Sequence, residues 1–174
     1  MKNMKKGFPP IANKKATIMI LGSMPGEESL RKQEYYGNPR NTFWRIMATL
    51  FEFDHAEAYE ERVERLKINN IALWDVMQTC ERQGSLDSAI IDKTIAENDF
   101  GSFYRSHPTI NHVFFNGTKA EKEYFKRVLP KLAIKDKKIE YARLPSTSPA
   151  MASLSFDEKL LAWSNIKRKH SQAI

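Results

Sequence analysis

Cysteine is nearly missing from this chain: Cys80 stands alone, which excludes an internal disulfide and any zinc or iron–sulfur site built from several thiolates. The four histidines, His55, His107, His112 and His170, show no metal-ligand spacing such as HExxH. The sequence is therefore read as metal-free, although a carboxylate-only Mg²⁺ site would leave no spacing to read. Long apolar runs are also lacking. TIMIL and VFF fall far short of the roughly 20 residues that a membrane span requires. The opening MKNMKKGFPP is basic but is not followed by the apolar stretch of a secretory signal. A protein without a membrane segment, located in the cytoplasm, is the expectation. Internal repeats, low-complexity tracts and Ser/Gly linkers are missing as well.

What is present suits one folded unit. With 174 residues, 41% hydrophobic and 28% charged, the chain is long enough for one core and is predicted to form a single domain over 1–174. Lysine and arginine number 28 against 21 acids, a net charge of +7. The excess is clustered: Lys2, Lys5, Lys6, Lys14 and Lys15 near the start, a dense stretch from Lys119 to Lys138, and Lys167, Arg168 and Lys169 near the end. Such clusters suit a polyanion, nucleic acid above all, and equally suit a merely solvated basic surface.

Short apolar runs alternate with longer periodic ones. ATIMILG, NNIALWDV, INHVFFNG and KIEYARLPSTSP read as strands. NTFWRIMATLFEF, AEAYEERVERLKI, TKAEKEYFKRVLP and SFDEKLLAWSNIKRK read as helices, with a loop at QGSLDSAI. Two capping boxes are predicted, Thr118 with Glu121 and Ser155 with Glu158. The alternation implies βαβ crossovers: an α/β fold, a three-layer α/β/α sandwich around a short, mainly parallel four-stranded sheet. Ligands of such sheets bind beyond the carboxyl ends of the strands. There the sequence places GSMPG and YYGNPRN, then WDV, NGTKA and LPSTSPAMAS. Neither Ser23 nor Ser146 lies in a GxSxG elbow, and GSMPG lacks the lysine of a phosphate-binding loop.

Taken together, GSMPG, YYGNPRNTFW, LWDVMQTCERQGSLDSAI, NGTKAEK and LPSTSPA resemble the hypoxanthine-DNA glycosylase (deoxyinosine glycosylase) family of the uracil-DNA glycosylase superfamily, in the same order and from about Phe8 to Trp163. The resemblance implies a monofunctional enzyme without metal or organic cofactor. It would bind double-stranded DNA as a monomer, extrude one deaminated base, most plausibly hypoxanthine, and hydrolyse its N-glycosidic bond. A glycosylase for uracil or another deaminated base, a non-catalytic nucleic-acid-binding module and a small-molecule nucleotide hydrolase are the competing readings.

By the same resemblance, Tyr36 is the ring that stacks on the extruded base, whereas Tyr35 packs into the fold. Ser23 and Met24 fall in the first motif. The superfamily often has an acid or amide at the Met24 position to hold the attacking water, and a thioether cannot do this. An amide nearby must take over, so Asn41, with Asn38 in reserve, is the expected water-orienting group; a helix N-cap is the competing role for Asn41. Asp75 is expected to accept the N1–H of hypoxanthine or to cap a turn. Asn116 either donates to base or phosphate or is a turn residue. Lys119 either steers phosphate or is solvated, and a lyase role for it stays open. Ser146, Thr147 and Ser148 are expected to meet flanking phosphates, with Pro149, Ala150 and Met151 as an apolar wedge in the gap left by the base. An ordinary loop is the alternative for that segment.

Overall fold

The structure, a computed structural model, describes residues 3–133 and 138–172. Lys2, Lys135 and Lys137 of the basic clusters lie outside the described residues. Four strands, β2 (Ile18–Gly22), β3 (Ile71–Asp75), β6 (His112–Asn116) and β7 (Glu140–Leu144), form one sheet in the order β3-β2-β6-β7. Every neighbouring pair in it is parallel. Every residue of β2 and β3 is buried, which explains why their sequences are continuous apolar runs rather than alternating ones.

Among the described residues six α-helices follow or precede these strands: α1 (Glu27–Lys32), α2 (Phe43–Phe51), α3 (Tyr59–Ile68), α4 (Phe100–Ser106), α5 (Thr118–Glu123) and α6 (Phe156–Gln172). In-register neighbours of a sheet point to the same face. Leu21 pairs with both Trp74 and Phe115. Trp74 meets Phe100 and Phe103 of α4, while Phe115 meets Tyr124 just beyond α5. Phe43 of α2 meets Trp163 of α6 edge to face at 5.8 Å. The sandwich implied by the sequence is thus the observed architecture. No helix among the described residues is long and apolar enough to cross a membrane.

A second sheet lies outside the sequence reading. β1 (Met4–Lys6), β4 (Met77–Glu81) and β5 (Ala96–Glu97) pair antiparallel in the order β1-β4-β5. It covers a small separate core of Met24, Met77, Cys80, Ile90 and Ile95. Two other expectations are corrected. The helix expected over 118–130 is α-helical only to Glu123, continues as a π turn over Tyr124–Val128, and ends in a 3₁₀ turn over Leu129–Lys131 that holds Pro130. Thr118 lies inside α5 and the cap position is Gly117, with no side-chain cap bond; Glu121 binds Arg143 at 3.0 Å instead. The Ser155/Glu158 box does form, with Ser155 N–H to Glu158 Oε2 at 2.7 Å and Glu158 N–H to Ser155 Oγ at 3.3 Å.

Candidate active site

Strand register builds the site. Gly22 stands opposite Asp75, and β6 runs one residue past Phe115 to Asn116, itself opposite Leu144. The three strand ends therefore place Asp75, Gly22 and Asn116 side by side on the sheet face opposite Trp74 and Phe115. Only glycine fits in the middle: a Cβ there would overlap Asp75 Oδ1 and lie 3.0 Å from the Tyr36 hydroxyl. Above this row opens a cleft of about 680 Å³, into which the loops at 22–29, 35–41, 85–87 and 146–151 all converge.

The cleft floor holds two polar atoms left without partners. Asp75 is 3% exposed, and its Oδ2 has no hydrogen bond; the buried Tyr36 hydroxyl is likewise unpaired in hydrogen-bond geometry. Burial, then the nearby Asp87 charge, push the Asp75 carboxyl up to about 7, against the pull of Arg82. Burial and the Asp75 charge push the Tyr36 phenol far above its ordinary value, and the Asn116 amide opposes them. An unsatisfied buried polar atom costs about 1–3 kcal/mol, and two in one cleft mark a place where a ligand completes the bonding. Tyr36 adopts φ +54°, a conformation rare for a bulky side chain. One ring face lies on Phe43, with centroids 4.1 Å apart and planes at 25°. Tyr35 is core: its hydroxyl donates to Pro9 O at 3.0 Å and its carbonyl accepts from Trp44 Nε1 at 2.8 Å.

Both asparagines of GNPRN line the cleft. The cap position of α2 is Thr42, with no side-chain cap bond, so the helix cap expected at Asn41 is not formed; Asn41 Oδ1 instead accepts from Phe43 N–H two residues on at 3.0 Å, a local turn just before α2, while the residue lines the cleft. Asn38 Oδ1 accepts from Arg40 N–H at 2.9 Å. Their carbonyl oxygens are each engaged locally, and the Nδ2 groups have no bond among the described residues.

Asn116 lines the cleft and is bonded to the loop at 146–151. Its Nδ2 donates to Thr147 Oγ1 and its Oδ1 accepts from Thr147 N–H, both at 2.9 Å. Thr147 in turn is 0% exposed, and its carbonyl accepts from Thr42 N–H at 3.0 Å. Thr147 was expected to face phosphate; its hydroxyl points inward and holds the loop to the sheet and to α2. Ser146 Oγ accepts from Ser148 N–H, and Ser148 Oγ from Ala150 N–H, each at 3.2 Å. Pro149 and Ala150 are exposed at the cleft rim, with Met151 half-buried beside them. Lys119 is paired with Asp92 at 2.7 Å and Glu123 at 3.1 Å and is not among the residues lining the cleft.

Sequence reasoning missed four contributors. Arg82 is 0% exposed and donates to the carbonyls of Gly84, Met24 and Pro25, fastening the 82–87 loop to GSMPG. Asp87 accepts from Ser23 Oγ at 2.7 Å. Arg40 lines the rim, and the Lys159 ammonium, nearly buried, contacts Ser148 O at 3.5 Å below the loop tip. QGSLDSAI was on the page as part of a motif, but nothing along the chain revealed that its aspartate folds back onto Ser23. Met24 is 6% exposed and belongs to the small core, with only its edge at the cleft. Among the described residues, no cluster of three or more His, Cys, Asp or Glu is arranged to hold a metal ion.

Comparison with known proteins identifies the family. The family model of the uracil DNA glycosylase superfamily matches residues 9–167. The chain is 45% identical over 118 residues to a protein named hypoxanthine DNA glycosylase from Methanosarcina acetivorans, covering 67% of this chain and 73% of that one. It is 42% identical over 117 residues to one of the same name from Methanosarcina barkeri, with the same coverage. A solution NMR structure from Methanosarcina acetivorans, assigned by its name to the uracil DNA glycosylases, superposes with a TM-score of 0.78 at 38% identity, covering 97% of this chain and 99% of that one. The chain belongs to the uracil DNA glycosylase superfamily.

Proposed function

We propose that this protein is a base-excision repair enzyme that removes hypoxanthine from deoxyinosine in double-stranded DNA, working as a single-domain monomer in the cytoplasm. The observation that carries the reading is the pair of unpaired polar atoms, Asp75 Oδ2 and Tyr36 Oη, buried at the floor of a cleft large enough for a purine. A base inside a duplex is out of reach, so the nucleotide is extruded at a cost of a few kcal/mol. Stacking on the free face of Tyr36 returns about 1–3 kcal/mol. Asp75 in its ionised form accepts the N1–H of hypoxanthine, which adenine does not carry at that position. The shared name of the two relatives supports hypoxanthine as the substrate.

Cleavage leaves positive charge on the sugar and negative charge on the departing base. Asn41 lines the cleft with its oxygen held by Phe43 N–H and its amide left free, and is suited to orienting the attacking water. Asn38 stands beside it. Ser23 and the edge of Met24 also line the cleft, and Asn116 fixes the loop at 146–151. The Ser146 and Ser148 backbone and hydroxyls meet the flanking phosphates, held in place by Thr147, and Pro149, Ala150 and Met151 enter the gap left by the base. The basic surface supplies a salt-dependent share of affinity.

The test is cleavage of matched duplexes carrying hypoxanthine, uracil, xanthine or a normal base, with alkali to reveal abasic sites. Release of hypoxanthine well ahead of the others is expected. Equal or faster release of uracil would move the assignment to another deaminated base. No release from any duplex, despite binding, would leave a non-catalytic module.

A further inference from the structure

We propose that Asp87 is a second catalytic group of this site: its carboxylate binds the attacking water and takes its proton, replacing in space the acid or amide that Met24 leaves out of the first motif. The inference rests on the glycosylase reading above and deepens it. Met24 turns its side chain into the small core, so the position beside Ser23 offers no polar group of its own. The chain restores one from a distant segment. Ser23 Oγ donates to Asp87 Oδ1 at 2.7 Å, while Oδ2 has no bond among the described residues and Asp87 stands on the cleft wall. Arg82 holds this return loop in place through the Met24, Pro25 and Gly84 carbonyls, and Ser85 Oγ accepts from Glu27 N–H at 2.9 Å. A loop fastened at three points, carrying into the cleft lining a carboxylate with one oxygen free of bonds, is preorganised for a water.

The division of labour between the two carboxylates follows from their surroundings. Asp75 sits at the floor, fully enclosed under Tyr36, where the base edge would lie. Asp87 sits at the mouth with one side open to solvent, where a water can enter and a proton can leave. The charged and titratable groups around Asp87 are Asp75 at the end of β3, Tyr36 on the 35–41 loop, Cys80 on β4, Arg82 after it and Lys119 on α5. Crowding by the cleft walls raises the Asp87 carboxyl above its ordinary value, and the Ser23 bond, Arg82 and Lys119 hold it down in part. A carboxylate with raised basicity, one oxygen of which is free of bonds, is suited to a general base.

The step balances as a hydrolysis. The C1′–N9 bond breaks and its electron pair leaves with the base. The water oxygen bonds to C1′, and the water proton passes to Asp87 Oδ2, which returns it to solvent. The departing hypoxanthine anion takes one proton from solvent.

Single-turnover release of hypoxanthine and duplex affinity would be compared for the wild type, Asp87→Asn and Asp87→Ala, with melting temperatures as a control on folding. Asp87→Asn keeps an oxygen for Ser23 yet is not a base. Its rate at the pH plateau should fall on the order of 100-fold, with duplex affinity within about twofold. Loss of the Asp87 charge should also move the inflection belonging to Asp75 to lower pH, because that charge helps to raise it. Added formate should restore Asp87→Ala by about tenfold or more and do nothing for Asn41→Ala. A wild type that releases hypoxanthine, with Asp87→Asn within about threefold of it and no formate rescue, would reduce Asp87 to a loop tether. A wild type that releases nothing would instead overturn the glycosylase reading.

Discussion

Gly22 and Asp75 occupy the last shared register position of β2 and β3, and the Asp75 carboxylate fills the space that a side chain on Gly22 would need. The Tyr36 hydroxyl closes the same space from above, 3.0 Å from that missing Cβ. Backbone freedom is not the reason for this glycine; close approach is. Replacing it by alanine forces both cleft-floor groups to move. Gly22→Ala should leave the sheet folded while lowering single-turnover hypoxanthine release by about 100-fold or more, since misplacement by an ångström costs that much. A fully active Gly22→Ala would show that neither Asp75 nor Tyr36 needs its present position.

Asp75 also ties stability to pH. Its carboxyl is pushed from about 3.9 in an unfolded chain up to about 7 in the fold. Between those values the folded form keeps a proton that the unfolded form has lost, so stability falls as pH rises through that window. At pH 8 the full penalty applies, on the order of 4 kcal/mol at 1.36 kcal/mol per unit. Asp75→Asn removes this dependence: relative to the wild type, the variant should gain stability between pH 5 and pH 8 while excision is lost. Urea melts at the two pH values decide it, and parallel behaviour of the two proteins would refute the assignment.

The bond pair between Asn116 and Thr147 joins the end of β6 to the loop at 146–151. Asn116→Ala leaves the Thr147 amide buried and unpaired, at a cost of about 1–3 kcal/mol. Because the loop tip is expected to enter the duplex, the variant should also bind damaged DNA more weakly. A double-mutant cycle with Thr147→Val measures the shared part, expected at about 0.5–3 kcal/mol of coupling. Additive losses would mean that the two side chains act independently.

The parallel sheet was legible because buried strands advertise themselves as unbroken apolar runs, as IMILG and IALWD do. The strand ends then located the cleft, and the motifs there supplied most of its lining. What the sequence hid depends on return contacts. The small sheet escaped because MQTCE buries only Met77 and Cys80, which matches no clean alternation. α1 and α4 are six and seven residues long, too short to show a period. Thr147 read as a phosphate ligand because its burial depends on Asn116 and Thr42, residues remote along the chain. Asp87 stayed silent for the same reason: its role is set by Ser23, 64 positions away.

Asn41 stands one residue before the cap position of α2, and its Oδ1 closes a local turn through Phe43 N–H while the residue lines the cleft. That turn and the proposed orienting role are separable. A serine at this position retains an oxygen able to close that turn but has no amide. Asn41→Ser should therefore lose less stability than Asn41→Ala, which gives up the turn bond at a cost of about 1 kcal/mol. If the amide orients the water, both variants release hypoxanthine on the order of 100-fold more slowly, with duplex affinity retained. Should Asn41→Ser recover the wild-type rate, the local turn would be the whole contribution of Asn41, and the orienting amide would have to be Asn38, which also lines the cleft.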